Sequence, residues 1–116
     1  MSRNLSLYLT DILTSIGKIQ RYTAGLSYED LIQDERTLDA IVHNLQIIGE
    51  ATKQVPDSLR SQHPQIDWKA IAGMRDIIAH AYFSINTRIV WNVIQQDLKP
   101  FKDCIEQLQQ TENLDS

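Results

Sequence analysis

Gly73-Met74-Arg75-Asp76-Ile77-Ile78-Ala79-His80-Ala81-Tyr82 sets four side chains capable of chemistry inside an otherwise apolar helical pattern. Trp68, Ile71, Arg75, Ile78 and Tyr82 follow one another at steps of three and four, which places them on one face of a helix. Arg75 therefore interrupts an apolar stripe. A guanidinium there must meet an anion, a partner subunit or a wet cleft, because burying an unpaired charge costs too much. Asp76 and His80 are four apart, so the carboxylate comes within reach of the imidazole and can fix its tautomer. Arg75 and His80 are five apart, roughly 140° around an ideal helix. A site using both is more natural where two copies of the chain meet, or at a fraying helix end.

Outward from this stretch the pattern stays helical. Asp67 is placed to cap the motif helix, with Ile66 and Ile71 as the staple around it. On the other side, Ser84-Ile85-Asn86 reads as a turn with Asn86 as the cap of a last helix carrying Val90, Ile94, Leu98, Phe101, Ile105 and Leu108. Pro100 should kink that helix, because its ring denies a hydrogen bond to the carbonyl of Gln96. Near the start of the chain, Leu5, Leu9, Ile12, Ile16 and Ile19 form a narrow seam, and Gly25 is a reasonable stop. Ser27 with Asp30 predicts a short capped helix, and Leu26 with Leu31 its staple. Asp34 then caps a long helix with Leu38, Ile41, Leu45, Ile48, Thr52 and Val55 in its seam, ended by Pro56. The connection from Pro56 to Asp67 predicts one helical turn near Ser58 and a solvent-facing His63. His43 and Glu50 lie off the seam and read as solvated helix positions.

No sustained strand alternation, glycine-rich phosphate loop or metal-ligand spacing appears. The expected architecture is an all-α bundle of about five helices: three long ones, the motif helix and a short connecting one. With 116 residues, 42% hydrophobic and 22% charged, a single domain over 1–116 is expected. A net charge of −4 gives the bulk surface no attraction for nucleic acid, so any RNA binding must be local. The single cysteine, Cys104, excludes an internal disulfide and reads as a small core residue. There is no signal-like start and no run approaching the ~20 apolar residues of a membrane span, which predicts a cytoplasmic protein without membrane association.

The bare pattern of Arg, four residues, then His is weak. Six Arg and three His in 116 positions produce it by chance in roughly one such sequence in six. The surroundings are more specific. Ile48-Gly49-Glu50-Ala51, Ile66-Asp67-Trp68, Gly73-Met74-Arg75-Asp76 leading to His80-Ala81-Tyr82, and Trp91 together resemble the HepT-like branch of the HEPN superfamily, helical toxins of prokaryotic toxin–antitoxin pairs.

That resemblance covers nearly the whole chain and implies an R-x-x-x-x-H-x-Y ribonuclease motif. Its Arg, polar residue, His and Tyr fall on Arg75, Asp76, His80 and Tyr82. The polar residue is often an amide in such sequences, whereas Asp76 adds a negative charge beside Arg75. The implied protein is a two-fold homodimeric HEPN bundle and the toxin of a type VII-like pair. It cleaves RNA without metal or cofactor, and a cognate minimal nucleotidyltransferase antitoxin neutralises it by transferring AMP to Tyr82.

The residue types suit that chemistry. RNA carries its own nucleophile in the 2′-hydroxyl and needs a base, an acid and a charge stabiliser. Arg75 and His80 are the candidate catalytic pair, Asp76 the supporting residue and Tyr82 the modification site. One chain offers one motif His, while acid and base act on opposite sides of the phosphate, so a two-fold dimer supplies both. The competing expectation is a non-catalytic helical dimer that docks a nucleotidyltransferase, with Arg75 and Tyr82 in recognition.

Overall fold

The computed structural model describes residues 3–80 and 86–115, with side chains described for residues 5–74 and 86–112. Every regular element among them is helical. Helix α1 (Arg3–Thr23) buries Leu5, Leu9, Ile12, Ile16 and Ile19, so the predicted seam is the buried one. The Thr23 hydroxyl donates 2.8 Å to the carbonyl of Ile19, and Gly25 follows at φ 78°. Only a residue without a Cβ adopts that left-handed turn cheaply, which explains the helix stop.

Helix α2 (Tyr28–Gln33) starts with a full capping box. Ser27 Oγ accepts from Asp30 N at 3.1 Å, and Asp30 Oδ2 accepts from Ser27 N at 3.1 Å. Asp34 ends α2 and caps α3 (Glu35–Thr52), its carboxylate accepting from the backbone and hydroxyl of Thr37 at 3.1 and 2.6 Å. Those hydrogen bonds from Thr37, hydroxyl first, hold the exposed Asp34 carboxyl below its ordinary range. Helix α3 buries Ile41, Leu45, Ile48 and Thr52. Thr52 sits in this apolar seam without an orphaned hydroxyl, because it donates 2.7 Å to the carbonyl of Ile48.

The turn near Ser58 is α4 (Asp57–Arg60). Its Arg60 reaches back to the end of α3, Nε donating to Val55 O and Nη2 to Thr52 O, both at 2.9 Å. A cation there adds to the bond that the Thr52 carbonyl accepts from Val55 N and meets the negative end of the helix dipole. His63 is half-buried rather than solvent-facing, and its carbonyl accepts the Trp68 indole N–H at 3.0 Å. Trp68 opens α5 (Trp68–His80), with Asp67 Oδ1 accepting from Ala70 N at 3.0 Å as the expected cap.

The last rod corrects one expectation. Asn86 caps α6 (Thr87–Asn92), its side chain accepting from Ile89 N at 3.2 Å. A π-helical turn over Val93–Asp97 then leads into α7 (Leu98–Asp115). Leu98 N–H donates to the carbonyl of Val93, five residues back instead of four. Pro100 thus follows a widened turn, which the sequence did not specify, and the extra residue in that turn offers the carbonyl clash of the proline ring a route to relief. Ile94, expected in the seam, is half-buried beside the core.

Helix α3 packs against α1, α2 and α5, while α7 packs on α1. Phe101 and Trp68 meet edge to face at 5.6 Å between centroids, joining α7 to α5. One contact has no sequence signal: Tyr28 of α2 hydrogen-bonds Thr87 at 2.9 Å, lies under the Arg88 guanidinium at 3.8 Å and meets Trp91 edge to face at 6.0 Å. Cys104 is a buried free thiol, as expected. No helix among the described residues is long and apolar enough to cross a membrane.

Candidate active site

The motif sits on α5, which is fixed at its first turns. Trp68 is buried and clamped by Phe101 and His63, Ala72 is buried, and Ile71 and Met74 pack partly against the core. The helix remains α-helical as far as His80. Its backbone therefore keeps Asp76 and His80 one turn apart on one side, and Arg75 and His80 roughly 140° apart. The structure thus carries Arg75, Asp76 and His80 on one regular helix and does not bring Arg75 and His80 to one face of it. The side chains of Arg75, Asp76 and His80, and the whole of Tyr82, lie outside the described residues.

A Cβ built on Gly73 would meet nothing within 4 Å. Nothing among the described residues therefore demands a glycine here, although glycine inside a helix costs roughly 0.5–1 kcal/mol relative to alanine. The position instead leaves α5 bare just ahead of Arg75.

A second feature was not legible as a site in the sequence. Tyr8 and Asp11 of α1 and His43, Gln46, Glu50 and Gln54 of α3 line an open cleft of about 510 Å³. Its remaining walls are half-buried Ile47 and buried Ala51. On an ideal helix His43 and Glu50 stand about half a turn from Ile41 and Ile48, so the cleft lies on the side of α3 away from its buried seam. The spacing 43, 46, 50, 54 was available as a signal, yet such a stripe ordinarily reads as a solvated face. A smaller apolar groove of about 160 Å³ lies between α5 and the π turn, with Ile71, Met74, Ile89 and Val93 among its walls. Among the described residues no group of three or more His, Cys, Asp or Glu is arranged to hold a metal ion.

Comparison with known proteins places the chain in a family. The family described as ribonuclease HepT-like matches residues 12–108, which include α3, α5 and the Arg75 to Tyr82 motif. The chain is 37% identical over 108 residues to a "Probable ribonuclease HepT" of Thermococcus cleftensis, covering 93% of this chain and 98% of that protein. It is 37% identical over 105 residues to the "Putative RNase TTE0752" of Caldanaerobacter subterraneus subsp. tengcongensis, covering 90% and 94%. It is also 30% identical over 111 residues to the "Putative RNase MJ0127" of Methanocaldococcus jannaschii, covering 92% of each. No solved structure matches significantly. The chain belongs to the ribonuclease HepT-like family of the HEPN superfamily.

Proposed function

We propose that this endoribonuclease cleaves RNA by attack of the substrate's own 2′-hydroxyl, with Arg75 and His80 as its catalytic pair. The observation that carries the reading is the complete sequence motif, Arg75-x-x-x-x-His80-x-Tyr82, whose Arg75 and His80 lie on a helix with its start anchored by Trp68 and Phe101. The His80 imidazole takes or returns the proton, an effect generally worth about 10²–10⁴-fold. Arg75 binds two phosphorane oxygens at once through its planar fork, which Lys matches only in part. Asp76, one turn before His80, orients the imidazole and lowers the local positive charge. The balanced step forms the bond from 2′-oxygen to phosphorus and breaks that to the 5′-oxygen, leaving a cyclic phosphate and a free 5′-hydroxyl.

The proposal extends to the assembly. A two-fold homodimer brings two copies of the motif to one cleft, supplying a base and an acid from separate chains. The chain then acts as the toxin of a toxin–antitoxin pair in the cytoplasm, and a cognate nucleotidyltransferase blocks it by adding AMP to Tyr82. A second reading, a non-catalytic dimer that docks the nucleotidyltransferase, draws on one observation: Asp76 stands where an amide would leave Arg75 fully charged.

Expression of the chain alone separates the two. The catalytic reading expects arrested growth, RNA fragments ending in cyclic phosphate and unchanged cleavage in chelator, with loss of at least about 10²-fold in His80→Ala. Cleavage that survives His80→Ala unchanged removes His80 from the mechanism. Absence of any cleavage by the purified native chain favours the docking reading.

A further inference from the structure

The cleft between α1 and α3 is a feature that the catalytic assignment leaves unused. Tyr8, Asp11, His43, Gln46 and Gln54 line it, and no hydrogen bond or ion pair within the described residues engages the polar group of any of them. These groups hold nothing in the fold. Their placement is nevertheless regular, because His43, Gln46, Glu50 and Gln54 step along α3 by three and four while Tyr8 and Asp11 face them one turn apart on α1. The Tyr8 ring and Ile47 are half-buried, which gives the cleft an apolar wall beneath its polar rim. Helix α3 packs against both α1 and α5, so the cleft and the motif share a supporting helix.

The chemistry of the lining selects its ligand. Among the described residues that line the cleft there is neither Lys nor Arg, and two are carboxylates. It is unsuited to a phosphate, whose charge the Asp11 carboxylate repels. What remains of an RNA strand is an unpaired base, which proteins read by stacking on an aromatic face and by hydrogen bonds to its edge. A carboxylate only accepts, so it selects bases that present N–H donors. Guanine presents a ring N–H beside an exocyclic amino group, two adjacent donors that match the two oxygens of a carboxylate. Its O6 and N7 acceptors suit the amide N–H groups of Gln46 and Gln54. Uracil offers one N–H between two carbonyls, which would face the carboxylate oxygens unfavourably.

We infer that this cleft is a base-recognition subsite for an unpaired guanine of the RNA substrate, with Asp11 as the acceptor for its donor edge and Tyr8 as the stacking face. The inference rests on the ribonuclease assignment for its purpose and on the cleft alone for its chemistry. Asp11, Tyr8, Gln46 and Gln54 then determine specificity and take no part in bond cleavage. The cleft adds sequence preference without adding phosphate affinity, and the grip on the backbone stays with Arg75.

The test uses the full chain and two readouts. Guanosine, uridine and a short arginine-rich peptide are titrated separately while NMR follows the side-chain amides of Gln46 and Gln54. Guanosine should shift these signals saturably, at least about tenfold more tightly than uridine, and Asp11→Asn should weaken guanosine about tenfold. Asp11 is exposed, so the variant keeps its fold. In the second readout, cut sites in an unstructured mixed-sequence RNA are sequenced. Native cuts should cluster at a fixed distance from guanine, whereas Asp11→Asn should lose that bias about tenfold. Equal or absent shifts with the two nucleosides overturn the inference, even if the chain cuts RNA well. Peptide shifts without guanosine shifts also overturn it and assign the cleft to a basic protein partner. Selective guanosine binding by a chain that cuts no RNA upholds the subsite and instead removes the catalytic assignment.

Discussion

At the residue scale, Tyr82 is where control of the activity is expected to act. It lies seven positions after Arg75, which on a continuing helix is two turns along and nearly in line. Under the proposed control, transfer of AMP to its phenol would add a phosphodiester charge and a nucleoside, which would pair the Arg75 guanidinium and fill space that RNA needs. Incubation with ATP, magnesium and the cognate nucleotidyltransferase should add AMP units to the native chain and suppress cleavage, and leave Tyr82→Phe unmodified. Intact mass decides the point, because an equal adduct on both proteins assigns the modification elsewhere. Cys104 shows the opposite condition, a reactive group kept silent. Burial pushes its thiol from the ordinary 9.0 up to about 11, since the apolar surroundings penalise the thiolate. The folded state therefore favours the proton. Stability from the neutral thiol is complete below pH 9 and is lost as pH rises toward 11. At pH 8 an alkylating reagent should modify native Cys104 no faster than the chain unfolds. Rapid labelling of the folded chain would contradict that burial.

Helical elements were legible in the sequence wherever the signal was local. Ser27 with Asp30, Asp34, Asp67 and Asn86 all cap as expected, because a side-chain acceptor satisfies a backbone donor only two or three residues away. The seams of α1 and α3 were legible too, since burial follows the helical period. Interactions between distant elements were not. Nothing in the pattern around Tyr28 pairs it with Thr87, Arg88 and Trp91, and Pro100 signalled a break without specifying that it would be a π turn. Arg60 is the clearest case, as a basic residue in a polar connection that proves to cap the end of α3. Each of its two hydrogen bonds joins a cation to a backbone carbonyl in a partly exposed setting. Arg60→Ala should thus cost about 1–2 kcal/mol and lower the melting temperature by roughly 4–8 °C, measured by calorimetry. Cleavage at room temperature should hardly change. A melting temperature equal to the native one would show that water serves those carbonyls as well.

At the scale of the whole molecule, the unresolved tension is between the chemistry and the helix that carries it. Residues 75 and 80 are held roughly 140° apart on a helix that stays regular as far as His80, so one copy does not present both to one phosphate from the same face. Arg75 also interrupts the apolar stripe, and Gly73 leaves bare helix beside it. The sequence showed the candidate residues because the motif is contiguous; the geometry of a common cleft was not legible, because in the proposed assembly it would depend on a second chain. A shared two-fold cleft answers each point, drawing a base from one chain and an acid from the other, and it concentrates two guanidinium groups on a protein of net charge −4. This makes a prediction about mixtures. When native chains exchange with an equal amount of His80→Ala chains, about half of the native chains end with an inactive partner if pairing is random. Cleavage by a fixed amount of native protein should then fall to about half and continue falling as more variant is added, with light scattering confirming dimers throughout. Chains that kept full activity in the mixture, after exchange had been verified by mass, would each hold a complete site of their own. That outcome would return the second proton transfer to a group within one chain.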